Sequence, residues 1–352
     1  MMVPIVFLIL CIIGLYFSGL DFGFVLVEIM FRLSRNLLLV LSLVIPILSG
    51  MGLNFGIVLG AMAGQIGLIF IVNYKIGGIL GILVATLVST PLAIFFGYLT
   101  AKVLNKAKGK EMITSMILGF FANGLYQLVF IMLAGNILPI SNKSILMTTG
   151  TGLKNTIDLG LVRKSLDGLF FGEYTNIPVM TFVVIGIISV FMFRFLKTKK
   201  GQELRAIGQN MHVASVAGIP VNKTRTLAII ISTVLAAWGQ IIYLQNMGTL
   251  NTFTNHEQVG LFSVAALLVG GATVDKAGWK EAIIGTVLFH LLFIISPLAG
   301  QNLMGDAQIG EYFRVFVAYG IIGVSLVLHA HEANKKRKQI LLSPTAVEKS
   351  SL

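Results

Sequence analysis

The chain has 352 residues, 56% of them hydrophobic and only 11% charged, with a mean hydropathy of +0.91. That composition excludes an ordinary water-soluble domain, and its continuous apolar runs exclude a transmembrane barrel, whose strands would alternate. The net charge of +12 is spread over short connecting stretches, which leaves no folded basic face for nucleic acid.

The remaining class is all-α and polytopic. A helix crossing a hydrocarbon core of roughly 30 Å needs about 20 apolar residues. The first apolar stretch, 3–20, has no Lys or Arg before it and no small-residue cleavage pattern after it, so it is expected to be a retained span and not a signal peptide. It holds Cys11, the single cysteine, which permits no intramolecular disulfide. Residues 21–36 mix Asp21, Glu28, Arg32 and Arg35 with Phe22, Phe24 and Phe31, a pattern that predicts an interfacial helix on the outer surface. From Arg35 to Lys75 there are 39 charge-free positions. As one helix they would measure roughly 58 Å, so they must turn back, giving spans at 37–50 and 54–73.

Further apolar stretches predict spans at 77–101, 112–134, 177–196, 225–245, 259–274, 282–298 and 313–330, about ten in all. The long polar segment 136–176 reads as an external loop, 199–224 as a cytoplasmic loop, and 332–352 as a basic tail beyond a transmembrane domain of residues 1–331. With both termini in the cytoplasm, 18 of the 26 Lys and Arg residues fall inside, the orientation that the positive-inside rule selects.

Few residues within these spans carry chemistry. Gly52, Gly56, Gly60 and Gly64 repeat every fourth position, either for close helix packing or as part of a Gly-rich break, 49–56, whose free backbone groups border a polar path. Asn54, Gln65, Asn123, Gln127, Trp238 and Gln240 are the candidate path residues. Ionisable groups within the spans reduce to His290, read as a structural residue, and to residues at span ends. A proton- or sodium-coupled carrier normally needs more. Neither an enzyme's acid, His or Cys constellation nor a phosphate-binding GxxxxGK[ST] loop occurs. No metal or cofactor is therefore assigned to this chain.

The segment from Lys199-Lys200-Gly201 through Arg205-Ala206-Ile207-Gly208-Gln209-Asn210 and Ala214-Ser215-Val216-Ala217-Gly218-Ile219-Pro220-Val221 resembles, almost position for position, a pattern of permeases in the ribose, nucleoside and branched-chain amino-acid branch of bacterial ATP-binding-cassette (ABC) importers. Ala265-Ala266 with Gly270-Gly271, Gly278 and Gly285, and the early Ser49-Gly50 and Asn54-Phe55-Gly56, extend the likeness over residues 40–330. The resemblance implies a permease subunit in the bacterial plasma membrane, a second permease subunit, ABC ATPase subunits that bind the ATP, and an extracytoplasmic solute-binding protein or lipoprotein. It implies that 199–224 couples to the ATPase, with Glu203, Arg205, Gly208, Asn210, Ala214 and Gly218 as candidate positions. Met51-Gly52-Leu53-Asn54 lacks the acidic residue that sugar permeases of this branch carry in the break, so no sugar site is transferred. A neutral polar solute, nucleoside or simple sugar, is expected. The reading from another class is a stand-alone carrier or channel.

Overall fold

A computed structural model describes residues 2–167 and 177–341. The described chain is helical almost throughout. In order it forms α1 (Met2–Ser18), α2 (Phe22–Ser42), α3 (Val44–Leu48), α4 (Ile57–Asn73), α5 (Gly78–Lys106), α6 (Glu111–Leu128), α7 (Val179–Lys197), α8 (Lys199–Gln209), α9 (Met211–Val216), α10 (Val221–Met247), α11 (Asn255–Val269), α12 (Trp279–Met304) and α13 (Ala307–Leu341). A π-helical turn, Val129–Leu133, prolongs α6. Two short strands, β1 (Thr156–Asp158) and β2 (Thr249–Asn251), pair antiparallel with Ile157 opposite Leu250.

Six helical stretches are long and apolar enough to cross a membrane: Phe22–Leu48, Gly78–Lys106, Glu111–Leu133, Val179–Lys197, Val221–Met247 and Trp279–Met304. The protein is thus an all-α polytopic membrane protein. Six stretches meet that standard, fewer than the ten expected, and Val3–Ser18 and Ile57–Asn73 are shorter apolar helices.

Residues 22–36 are not a separate interfacial helix. They are the first half of α2, which has no Pro inside it and whose charges neutralise one another: Glu28 accepts from Arg32 Nε at 2.8 Å, four residues on, and lies 3.5 Å from Arg35. In the basic tail, α13 continues through Lys335-Lys336-Arg337-Lys338 to Leu341. Lys349, and Glu173 in the external segment, lie outside the described residues.

α10 occupies the centre, against α2, α4 and α5. Close approach is achieved with glycine: a Cβ on Gly64 would stand 2.5 Å from the Ala237 carbonyl oxygen, one on Gly60 would strike that of Thr233, and one on Gly67 that of Ala85. The glycine repeat therefore serves packing along α4, as small residues do where helices meet in lipid. Gly270 and Gly285 do the same between the end of α11 and α12, against the carbonyls of Glu281 and Ala266.

The connections sort to two ends. At one, Gly50 meets Gly208, Gly52 meets Met112 and Val274, Asn105 donates to Asn222 and Thr226, and Pro4 lies against Gly271. At the other, β1 and β2 pair, Arg163 covers Gly248, and Asn73 Oδ1 accepts from the N–H groups of Ser141 and Asn142.

Candidate translocation path and coupling surface

Three of the six candidate path residues come together. Gln65 on α4 and Asn123 on α6 are buried, and Gln127 sits one turn beyond Asn123 and half-buried. The Gln65 Oε1 atom accepts from the Tyr126 hydroxyl at 3.0 Å and lies 2.9 Å from His256 Nδ1. His256 Nε2 is 2.7 Å from Asn123 Oδ1, which also accepts from Gln127 Nε2 at 3.3 Å. Asn123 Nδ2 in turn donates to Glu257. A neutral imidazole supplies one N–H. With amide oxygens facing both ring nitrogens, the neutral ring donates to one amide and the other turns its NH2 toward the ring.

The sequence reading missed His256, Glu257 and Tyr126. It placed 246–258 in a connection outside the membrane, whereas α11 starts at Asn255, four residues before the expected span and immediately ahead of the His-Glu pair. The 15 residues of α11 extend only about 22 Å, short of a full crossing. Its first turn packs beside α4 and α6 with His256 buried, Glu257 half-buried and Gln258 exposed. Glu257 occupies that first turn, where the positive end of the helix favours a carboxylate. The available signal was Thr254-x-x-Glu257, the spacing of a capping box, although the Thr254 side chain makes no cap hydrogen bond here.

The other three candidates lie apart from this network. Asn54 turns back on its own break, its Oδ1 accepting from the Gly56 N–H at 2.9 Å. Trp238 donates to Thr90 at 3.0 Å and borders an apolar recess with Ile45, Ile187 and Phe191. Gln240 is buried with neither amide atom hydrogen-bonded among the described residues. His290 is buried between Phe289 and Phe293 on an apolar helix.

At the opposite end of α4 the break and the 199–224 segment form one joint. Gly50 and Gly52 have φ of +72° and +66°, a region that glycine enters without strain. A Cβ on Gly50 would stand 3.0 Å from the Gly208 Cα, and one on Gly208 would strike the Leu48 carbonyl oxygen. The close approach expected of Gly208 is therefore made within the chain, backbone on backbone. The end of the break is held to α6, because the Phe55 N–H donates to Ser115 Oγ at 3.1 Å.

Thr198 caps α8, and Asn210 caps α9 by accepting from the N–H groups of His212 and Val213 at 3.0 and 3.1 Å. Gly218, at φ +80°, turns the chain out of α9. Ile207, Ala214 and Val221 bury together beneath these helices. Glu203 faces inward with its side chain 11% exposed, accepting from Lys200 at 2.7 Å and from Thr224 at 3.5 Å. The Lys200 hydrogen bond holds its carboxyl below the usual range. Arg205 is half-buried. α9 presents outward Val213, 60% exposed, and Val216, 77% exposed, beside the exposed polar residues His212 and Ser215. Beneath it, fully buried Arg225 pairs with Glu111 at the start of α6 and reaches Met211 Sδ at 3.9 Å.

A family model described as the branched-chain amino acid transport system / permease component matches residues 25–325. The chain belongs to this permease family. Among its relatives are the xylose transport system permease protein of Haemophilus influenzae, 29% identical over 47% of this chain and 42% of the relative, and the nucleoside ABC transporter permease protein NupC of Lactococcus lactis, 26% identical over 47% and 50%. The fructose import permease protein of Bifidobacterium longum is 26% identical over 75% of this chain and 72% of its own length. The chain spans about half the length of the first curated relatives it matches. No solved structure matches it. The matched region of the permease takes in both the polar network and the α8–α9 joint.

Proposed function

We propose that this permease is the membrane-spanning subunit of an ATP-driven ABC importer in the bacterial plasma membrane, for a small neutral solute of the nucleoside or simple-sugar class. The single observation that carries the proposal is the α8–α9 element: a compact surface unit, with Val213 and Val216 exposed on its outer side and joined backbone to backbone with the Gly-rich break. A device that receives motion from a separate ATPase needs both properties. The names of the relatives, permeases for xylose, nucleosides and fructose, support the solute class. Nothing observed favours the stand-alone carrier.

In this reading the chain crosses the membrane about ten times. Four helices join the six long ones: α1, α4, the short α11 and α13. The domain is 1–331, with 136–176 outside toward a solute-binding protein or lipoprotein, 199–224 against ATPase subunits that bind the ATP, and 332–352 a cytoplasmic tail. Both termini are cytoplasmic, and a second permease subunit completes the path. Gln65, Asn123 and Gln127 line that path, and Asn54 borders its inner end. Trp238 and Gln240 border it only from within α10. In the coupling element Val213 and Val216 meet the ATPase, while Gly208, Asn210, Ala214 and Gly218 give it its shape, Glu203 anchors it, and Arg205 flanks the contact.

Two measurements test this reading. Val216→Cys on a Cys11→Ser background should form a disulfide with a cysteine-bearing groove of the co-encoded ATPase, and a surface elsewhere that cross-links in its place would reject the assignment. Lys108→Cys on the same background should react with an impermeant maleimide only in opened cells; labelling from outside intact cells would reverse the orientation.

A further inference from the structure

We infer that Glu257, positioned by Asn123 and His256, is the residue through which the path recognises its solute, and that it selects hydroxyl-bearing neutral molecules while rejecting anions. The inference rests on the importer reading above and names the chemistry of the same site.

The argument is an account of hydrogen-bonding capacity. Tyr126, His256 and the Gln65 Oε1 atom bond to one another on the buried side, which commits the phenol and the ring, and of Gln65 only the Nε2 donor is left without a partner among the described residues. Asn123 Oδ1 is filled by His256 and Gln127, and Asn123 Nδ2 is turned to Glu257. What remains toward the half-buried rim is the second carboxylate oxygen of Glu257 and the side-chain carbonyl of Gln127. Both are acceptors. Among the described residues no Lys, Arg or His forms an ion pair with Glu257. A carboxylate held at a helix start in an apolar bundle, with one oxygen committed and no counter-charge, matches a solute that donates hydrogen bonds. Hydroxyl groups do so, and a carboxylate or phosphate in the same place would be repelled at close range. A site built to bind a hydroxyl also discriminates strongly against the analogue lacking it, because its acceptor is then left unpaired. Asn123, on α6, gives the carboxylate a fixed direction and is itself held by His256, so Asn123 and His256 are positioning residues here.

The test uses the full chain, reconstituted with its co-encoded ATPase and binding protein, and reads maximal uptake rates at saturating loaded binding protein so that capture does not enter. The probes are uridine and D-xylose, each beside a deoxy analogue and a carboxylate analogue. Wild type should carry at least one probe and prefer it to the deoxy analogue by roughly tenfold or more. Glu257→Gln should lower uptake of that probe, collapse the preference to within about twofold, and raise uptake of the carboxylate analogue. Glu257→Asp, which keeps the charge, should retain part of the preference, and Gln65→Asn serves as a packing control that lowers rate without changing preference. Should Glu257→Gln assemble with normal melting behaviour and keep the wild-type preference, the inference is overturned while the importer reading stands. Should wild type carry neither probe under ATP, the solute class and this inference both fall. If Glu257→Gln does not assemble, Glu257→Asp decides: unchanged preference together with unchanged rate in that variant counts against Glu257 as the recognition residue.

Discussion

The two ends of α4 use opposite means to hold their neighbours. At its middle and outer half, Gln65 draws α6 and α11 together through side chains, a network of amides, a phenol, an imidazole and a carboxylate. At its inner end, the Gly50–Gly208 joint has no side chains at all and the contact is backbone against backbone. Side-chain networks can be remade around a passing solute, because hydrogen bonds exchange partners at a net cost of about 1 kcal/mol each. A glycine joint cannot adapt in that way. It transmits displacement, since any shift of α8 must either move the break or open a gap. In the proposed reading the difference gives recognition to one end and coupling to the other.

The largest effect is expected between them, at the Glu111–Arg225 pair, which ties α6 to the coupling end. Glu111→Ala leaves fully buried Arg225 without its partner and should destabilise the protein by about 3–5 kcal/mol. Thermal unfolding in detergent would show it, and the double variant Glu111→Leu, Arg225→Met should recover much of the loss. If Glu111→Ala melts as wild type does, the pair is not the strut described here. Gly208→Trp comes next. It should abolish solute-stimulated ATPase activity while the spans insert, but because the clash is with Leu48 of the same chain it should also make 199–216 more open to protease. Lys338→Trp, in the distal part of α13, should do little by either measure.

Gln65→Leu removes the acceptor shared by Tyr126 and His256 and should cut uptake about tenfold with assembly within about twofold of normal, a loss worth roughly 1.4 kcal/mol in the transport barrier. Normal uptake would detach Gln65 from the path. The smallest effect is at Gly218, where Gly218→Ala forces a side chain into positive φ and should cost about 1 kcal/mol. It meets nothing within 4 Å, so coupling should survive.

The sequence made the coupling end more legible than the recognition end. Its glycines, Asn210 and Gly218-Ile219-Pro220 are local signals that form a recognisable pattern, and they lie in and around the two short helices α8 and α9. What Gly208 touches was not legible, because the partner, Leu48, lies 160 positions away and close approach carries no local mark. At the recognition end, hydropathy found the apolar helices, of which six stretches in the described residues are long enough to cross a membrane, and misjudged where several begin. Glu28, Arg32 and Arg35 looked too charged for a continuous helix, yet they compensate one another within two turns. His256 and Glu257 looked like part of a surface connection, because the first turn of α11 is polar and only its tertiary contacts separate buried His256 from exposed Gln258. Gln65, Asn123 and Gln127 were found by type, as amides in apolar runs. By the same rule Gln240 was also chosen, and only tertiary structure separates it from the network.

The proposed division of labour has one decisive consequence: this chain should move solute only when an ATPase drives the joint at Gly50 and Gly208. Uptake of labelled solute into proteoliposomes, with the chain alone and with its co-encoded ATPase, binding protein and ATP, measures that directly. The account predicts no uptake by the chain alone, uptake by the full assembly with ATP, and loss of that uptake in Gly208→Trp. Equal, ATP-independent uptake by the chain alone would contradict it.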